Sequence, residues 1–150
     1  LSERPLAHGV GVDASEAALS LAMENAALTG LAPRVEFVLG DWDAATGPFD
    51  LIVSNPPYIR TADLAGLSRE VLHDPRAALD GGADGMDAYR QILPLLPRLL
   101  APQGAAVLEI GWDQAEQVSR LADTVAGLAY EGRRPDLEGR PRALIFRSIA

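Results

Sequence analysis

Short apolar runs alternate along this chain with amphipathic stretches, and each run ends on a polar or glycine-containing turn. Residues 9–12 run into Asp13, Val35–Leu39 into Gly40-Asp41-Trp42, and Phe49–Ser54 into Asn55, while a fourth run over 105–110 closes at Gly111. Such alternation predicts an α/β fold: a mostly parallel sheet with helices on both faces. Ser15 stands where a helix N-cap is needed. The helix it opens carries Ala18, Leu19, Ala22, Met23 and Ala26 on one face and stops near Gly30. A second apolar face is formed by Ile92, Leu93, Leu96, Leu99 and Leu100, with Pro94 and Pro97 kinking or dividing the helix and Pro102-Gln103-Gly104 ending it. Asp113 with Glu116 has the spacing of a capping box, opening a third helix with Val118, Leu121, Ala122 and Val125 inward and Gly127 at its end. The last two runs, near 130–134 and 143–147, have no helix between them, which implies an antiparallel hairpin at the sheet edge. Residues 59–85 are polar and weakly periodic, the pattern of a long functional loop or lid.

With 150 residues the chain is long enough for one domain with a single core, and 48% hydrophobic and 23% charged residues are those of a soluble globular protein. No apolar run is long enough to span a membrane and no signal-peptide pattern is present at the start, so the expected setting is the cytoplasm. Absence of cysteine excludes disulfides and thiolate chemistry. The formal net charge is -8, and every positive side chain is arginine. Such a surface repels nucleic acid unless a local basic patch is built. Only Arg133-Arg134 and Arg140 with Arg142 cluster, and these read as a solvated hairpin edge.

Asn55-Pro56-Pro57-Tyr58 carries the chemistry. The strand before it delivers the tetrapeptide to the sheet edge where α/β folds bind ligands. The prolines lack N–H groups and hold φ near one value, and Asn55 is pushed toward an extended conformation by the proline that follows. Backbone carbonyls there can turn into a pocket as acceptors. An amide or exocyclic amino nitrogen is a poor nucleophile with two N–H donors. The Asn55 side-chain oxygen and the Pro56 carbonyl could accept one each, turning the lone pair toward an incoming methyl. Catalysis would rest on orientation and fixed dipoles, with Tyr58 as a flat packing wall. The competing reading is an ordinary Pro-Pro turn closing a strand.

The order of strand ends, an acidic residue, then Asp-Trp, then Asn-Pro-Pro-Tyr, resembles the class I S-adenosylmethionine-dependent methyltransferases. Within them the chain is similar to the release-factor glutamine methyltransferases, the HemK/PrmC family. Gly11-Val12-Asp13-Ala14-Ser15 with Ala17-Ala18-Leu19 and Asn25 resembles the family's second strand and its helix, and Gly40-Asp41-Trp42 its adenine-side segment. The stretch from Asp50 through Asn55-Pro56-Pro57-Tyr58-Ile59 resembles the catalytic strand and loop nearly word for word. Asp74-Pro75-Arg76-Ala77-Ala78-Leu79 with Gly82 and Asp84-Gly85-Met86 resembles the middle loop. Leu108-Glu109-Ile110-Gly111 and Asp136-Leu137-Glu138-Gly139-Arg140-Pro141-Arg142 resemble later signatures. Asn-Pro-Pro-Tyr is shared by several amino-methyltransferases; the middle loop and the Asp-Leu tail point to this branch.

The resemblance implies a Rossmann-like fold, S-adenosylmethionine as cofactor and S-adenosylhomocysteine as product. It assigns Asp13 to the ribose hydroxyls, Asp41 to the adenine amino group and Trp42 to the adenine ring. For Asp13, helix capping beside Ser15 is the competing role. Asn55 would touch both cofactor and substrate, while Pro56, Pro57 and Tyr58 complete the substrate cradle. Glu109 reads as a solvated or capping strand-end residue outside the site. His8 and His73 are isolated and imply no metal. The family's first strand and glycine-rich turn are missing, as is its N-terminal docking domain. Residues 1–150 are therefore expected to be a partial catalytic domain, a fragment of a longer enzyme, in which two strands lack a shared neighbour and expose edges. The expected activity is methyl transfer to the side-chain amide of glutamine in the Gly-Gly-Gln motif of peptide chain release factors, by an enzyme monomeric when complete. The alternatives are N6-adenine or other base amino methylation on DNA or RNA, and a non-catalytic truncated binding module.

Overall fold

Two β-sheets form, and they share no strand. The computed structural model describes residues 1–149. The chain divides into two units, Leu1–Thr46 and Gly47–Ala150.

In the first unit β1 (Gly9–Asp13) lies parallel to β2 (Val35–Leu39), with Gly9 opposite Val35 and Asp13 opposite Leu39. Parallel strands need a crossover, and α1 (Glu16–Leu28) supplies it. Ser15 is the N-cap, as its position predicts; its hydroxyl accepts the Ala18 N–H at 3.3 Å. Gly30, at φ +70, turns the chain out of the helix. The inward face is narrower than expected: Leu19 and Ala26 are buried, but Met23 is 57% exposed. A two-stranded sheet covers only a thin stripe of a thirteen-residue helix. Arg34 ties down the chain start, its Nη1 donating to the carbonyls of Leu1, Arg4 and Ala7 at 3.3, 3.0 and 2.9 Å.

The second unit holds β3 (Phe49–Ser54), β4 (Leu100–Glu109), β5 (Leu128–Pro135) and β6 (Pro141–Ser148) in the order β3-β4-β6-β5. β3 and β4 are parallel, while β6 runs antiparallel to both β4 and β5, which forms the expected edge hairpin. Between β3 and β4 come 3-10 turns at Thr61–Gly66 and Val71–His73, then the one-turn helix α2 (Arg76–Leu79). Pro94 and Pro97 divide the next helical stretch into α3 (Asp87–Ile92), a 3-10 turn and α4 (Leu96–Leu99). β4 begins at Leu100, five positions before the run that announces it. Leu100 pairs with Phe49, the register then shifts, and Gln103 at φ 62 lies in the irregular stretch. The segment expected to stop a helix is thus absorbed as a strand irregularity.

The helix after β4, α5 (Ala115–Ala122), starts later than the capping-box spacing implies and ends before Val125. Its cap position is Gln114, which makes no capping bond, and Asp113 pairs with Arg60 instead. A distant cation outcompetes the local N–H groups for that carboxylate. Tyr89, Leu93, Leu96, Leu108, Leu144 and Phe146 form the buried centre of this unit. Among the described residues β1 and β3 each pair on one side only. On β3, Leu51 and Val53, two positions apart on one face, are 58% and 70% exposed, so that face is uncovered.

Candidate active site

Parallel strands carry their C-terminal ends to one edge, and in the first unit that edge holds Asp13, Asp41 and Trp42. The Gly40 N–H donates to the Asp13 carbonyl at 3.0 Å, joining the two strand ends. Asp13 Oδ1 accepts the Ser15 N–H at 2.8 Å, so the carboxylate does brace the start of α1. Asp41 Oδ1 accepts the Trp42 N–H at 2.8 Å and caps the 3-10 turn Trp42–Ala44. In each aspartate one oxygen is used and Oδ2 has no hydrogen-bond partner among the described residues. Both side chains are exposed and the Trp42 residue is half-buried. Open carboxylate oxygens on Asp13 and Asp41, with the Trp42 indole next in the chain, suit a ligand that offers hydroxyl and amino donors on a flat ring.

In the second unit the end of β3 leads into Asn55-Pro56-Pro57-Tyr58. Asn55 is exposed and its side-chain amide bonds to no described residue. Pro56 is buried and its carbonyl accepts no backbone N–H among the described residues. Pro57 and Tyr58 are half-buried. These four line a cavity of about 320 Å³ with Ile59, Leu67, Val71, Asp74, Ala78 and Leu79. The cavity is therefore bounded on one side by the tetrapeptide and on the other by the 61–79 segment. That segment is pinned to the tetrapeptide. The Ile59 N–H donates to the Leu79 carbonyl at 3.0 Å, and the Gly81 N–H returns to the Ile59 carbonyl at 2.8 Å. Thr61 Oγ1 donates to Asp80 Oδ1 at 2.6 Å, and Asp80 also accepts the Gly82 N–H at 3.1 Å. These bonds hold the Asp80 carboxyl below its ordinary range. Gly81 is required by the close approach, since a Cβ there would stand 2.8 Å from Tyr58 Cα.

Tyr58 itself is gripped at both ends. Its hydroxyl donates to Glu109 Oε1 at 3.1 Å, and the hydroxyl oxygen accepts from Arg142 Nη1 at 3.4 Å. Its carbonyl accepts from Gln114 Nε2 at 3.1 Å. Burial raises the Tyr58 pKa, Glu109 raises it further, and Arg142 opposes the rise. Tyr89, more deeply buried, is also raised, and its hydroxyl donates to the Glu109 carbonyl at 2.8 Å.

Two sequence readings are corrected here. Glu109, set aside as a solvated strand-end residue, is half-buried and bonded to Tyr58. Arg142, taken as part of a solvated hairpin edge, turns inward toward Tyr58, the Ile110 carbonyl and Asp136. β6 lies beside β4 in the sheet, which brings position 142 next to the strand end at 109 and 110. Arg133 and Arg134 are exposed, as read. Gln114 was missed, because no motif marks it; its only sequence signal is an amide three residues after the strand-ending Gly111. His8 and His73 lie in different units, and no cluster of metal-ligating side chains occurs among the described residues.

The family described as methyltransferase domain matches residues 2–133. The chain is 49% identical over its whole length to the release factor glutamine methyltransferase of Rhodospirillum rubrum, of which it covers 46%. In general it spans about half the length of the curated relatives it matches. Among solved structures it resembles TrmN from Thermus thermophilus, with a TM-score of 0.66, 21% identity, and coverage of 98% of this chain and 38% of that one. It also resembles an RNA methyltransferase from Salinibacter ruber in complex with S-adenosyl-L-homocysteine, at TM-score 0.55 and 19% identity, covering 94% of this chain and 65% of that one. At these identities the two structures speak for the fold.

Proposed function

This chain belongs to the methyltransferase-domain family, and we propose that it is the part of a release factor glutamine methyltransferase that holds the target glutamine amide for methylation. The observation that carries this reading is the pair of open acceptors at the end of β3: the unbonded Asn55 side chain and the free Pro56 carbonyl, beside the Tyr58 ring.

Asn55 Oδ1 and the Pro56 carbonyl each accept one N–H of the glutamine amide. With both hydrogens engaged, the nitrogen lone pair has one free direction. Pro56 is buried, so its carbonyl is set before the substrate arrives, while the exposed Asn55 side chain takes its place as the amide binds. S-adenosylmethionine, when bound, supplies a methyl group on a positively charged sulfur and is converted to S-adenosylhomocysteine. Asp13 and Asp41 would accept donors of that cofactor and Trp42 would cover its ring, a role that fits their open carboxylate oxygens. The methylated nitrogen sheds its proton to water, and no buried base is needed. The middle segment, pinned at Leu79 and Gly81, forms the far wall of the cavity.

Acting on a protein of the translation machinery places the enzyme in the cytoplasm. We take it to be monomeric when complete, with residues 1–150 as part of its catalytic domain. The formal charge of -8 favours a protein substrate over nucleic acid.

The test is peptide mass analysis of a release factor incubated with S-adenosylmethionine and the protein. One methyl gained on the glutamine of Gly-Gly-Gln, and lost with Asn55→Ala, supports the reading. Cofactor binding without any such gain, together with methylation of an exocyclic amino group in DNA or RNA, would replace it.

A further inference from the structure

Asp136-Leu137-Glu138-Gly139-Arg140-Pro141-Arg142 stands apart in the sequence with no role attached, and Glu109 was read as solvated. The structure joins them at one atom. The Tyr58 hydroxyl oxygen donates to Glu109 Oε1 at 3.1 Å and faces Arg142 Nη1 at 3.4 Å. Both partners are themselves braced. Arg142 Nη1 also donates to the Ile110 carbonyl at 3.3 Å, and its Nη2 reaches Asp136 Oδ2 at 3.5 Å. Asp136 Oδ1 meanwhile accepts the N–H groups of Glu138 and Arg140 at 3.0 and 2.9 Å, which folds the tail into a tight loop. Glu109 is fixed through its backbone, where the carbonyl accepts the Tyr89 hydroxyl at 2.8 Å.

This arrangement has a direction. An anion on one side takes the phenolic proton and a cation on the other meets the oxygen lone pair. Both contacts fall on the hydroxyl and not on the ring of Tyr58, a residue that lines the cavity. A tyrosine needed only for packing would not require a charged partner on each side of its hydroxyl.

We propose that Glu109 and Arg142 are positioning residues that fix the far end of the Tyr58 ring, so that its face meets the target amide in one orientation. They act through the hydroxyl and do not touch the substrate. The claim rests on the glutamine reading above, since it supposes that Tyr58 is a substrate wall. Asp136 is the outer support of Arg142, which gives the tail its function.

The experiment is a double-mutant cycle in the full protein, measuring kcat and KM for methylation of a release factor, with Tyr58→Phe, Glu109→Gln, Arg142→Leu and the combinations with Tyr58→Phe. Cofactor binding and thermal unfolding are followed on every variant. Tyr58→Phe keeps the ring and removes only the atom that is held. We expect each single variant to lower kcat by about tenfold, the scale of a modest misplacement of a reacting group, with cofactor affinity unchanged. Adding Glu109→Gln or Arg142→Leu to Tyr58→Phe should then cost less than twofold more. Should the effects multiply instead, the two charged residues act elsewhere and the proposal is overturned. It is equally overturned if the single variants change only the unfolding temperature. If the wild-type protein methylates no release factor, the glutamine reading fails and this inference falls with it. Transfer by the wild type with uncoupled variants sinks the inference alone.

Discussion

Gln114 Nε2 donates to the Tyr58 carbonyl at 3.1 Å, across 56 positions of sequence, and the same nitrogen reaches the Gly85 carbonyl at 3.1 Å. Its Oε1 accepts the Gly111 N–H at 2.9 Å. One buried amide therefore joins the Asn55-Pro56-Pro57-Tyr58 loop, the segment at Gly85 and the turn after β4. Replacing it strands two carbonyls and one N–H in a site where Gln114 is only 2% exposed. Gln114→Ala is expected to cost about 1–3 kcal/mol, the scale of leaving buried polar groups unpaired. Chemical denaturation would measure this. An unchanged midpoint would mean that water replaces the amide.

Gly81 offers a second test of how closely the middle segment lies on the tetrapeptide. A Cβ at this position would stand 2.8 Å from Tyr58 Cα and 2.9 Å from the Pro57 carbonyl oxygen, both backbone atoms that cannot swing aside. Gly81→Ala should destabilise by about 1–3 kcal/mol, as overpacking does, and weaken substrate binding together with stability. Wild-type stability and KM in this variant would show that the segment gives way freely.

The Tyr58 hydroxyl should titrate above a free tyrosine, because burial and Glu109 disfavour the phenolate. Glu109→Gln should lower that pKa and Arg142→Leu should raise it, since the two charges act with opposite sign. A raised folded-state pKa contributes stability that is full below the ordinary value of 10.0 and is lost as pH rises through the folded value. Tyrosine ring NMR across alkaline pH reads each shift directly. Shifts of the same sign in both variants would contradict the geometry.

Asp84 sits beside Arg90, with Arg90 Nη1 2.9 Å from Asp84 Oδ1, and the guanidinium holds its carboxyl down to about 2 from an ordinary 3.8. A depressed carboxylate pKa contributes stability above the unfolded value and loses it as pH falls through the folded one. The window is therefore between pH 3.8 and about 2. Both side chains are more than two-fifths exposed, so solvent and salt screen the effect. Arg90→Leu should lower stability slightly near neutrality, leave it unchanged below about pH 2, and so move acid unfolding to higher pH. Superimposable acid transitions for wild type and variant would rule out a contribution from this pair.

Asp13→Ala should weaken binding of S-adenosylhomocysteine by about tenfold or more, as expected for loss of a hydrogen bond to a charged group. Calorimetry reads this without catalysis. Asp13 also accepts the Ser15 N–H, so Asp13→Asn is the useful partner: it keeps that brace and removes the charge. If both variants bind like the wild type, the carboxylate serves only the start of α1.

Local chemistry made much of this fold legible. The runs at 35–39 and 49–54 became strands within the expected bounds, Ser15 capped α1, and Pro94 with Pro97 divided the helix before β4. Each of these is decided by neighbours a few residues away: alternating or continuous apolar side chains, a hydroxyl within reach of an N–H, a ring that removes a donor. Asn55-Pro56-Pro57-Tyr58 was legible for the same reason, since proline chemistry shapes its own backbone. What surrounds Tyr58 was not. Glu109 lies 51 positions away and Arg142 lies 84 away, and their partnership exists because β6 inserts between β4 and β5. Asp113 carried a valid local capping signal, yet Arg60 took its carboxylate. Sequence determined the elements and the local backbone of Asn55-Pro56-Pro57-Tyr58 because those depend on short-range sterics and hydrogen bonds. Tertiary structure alone decided which charges face the tyrosine, because strand order sets those distances and no residue encodes strand order by itself.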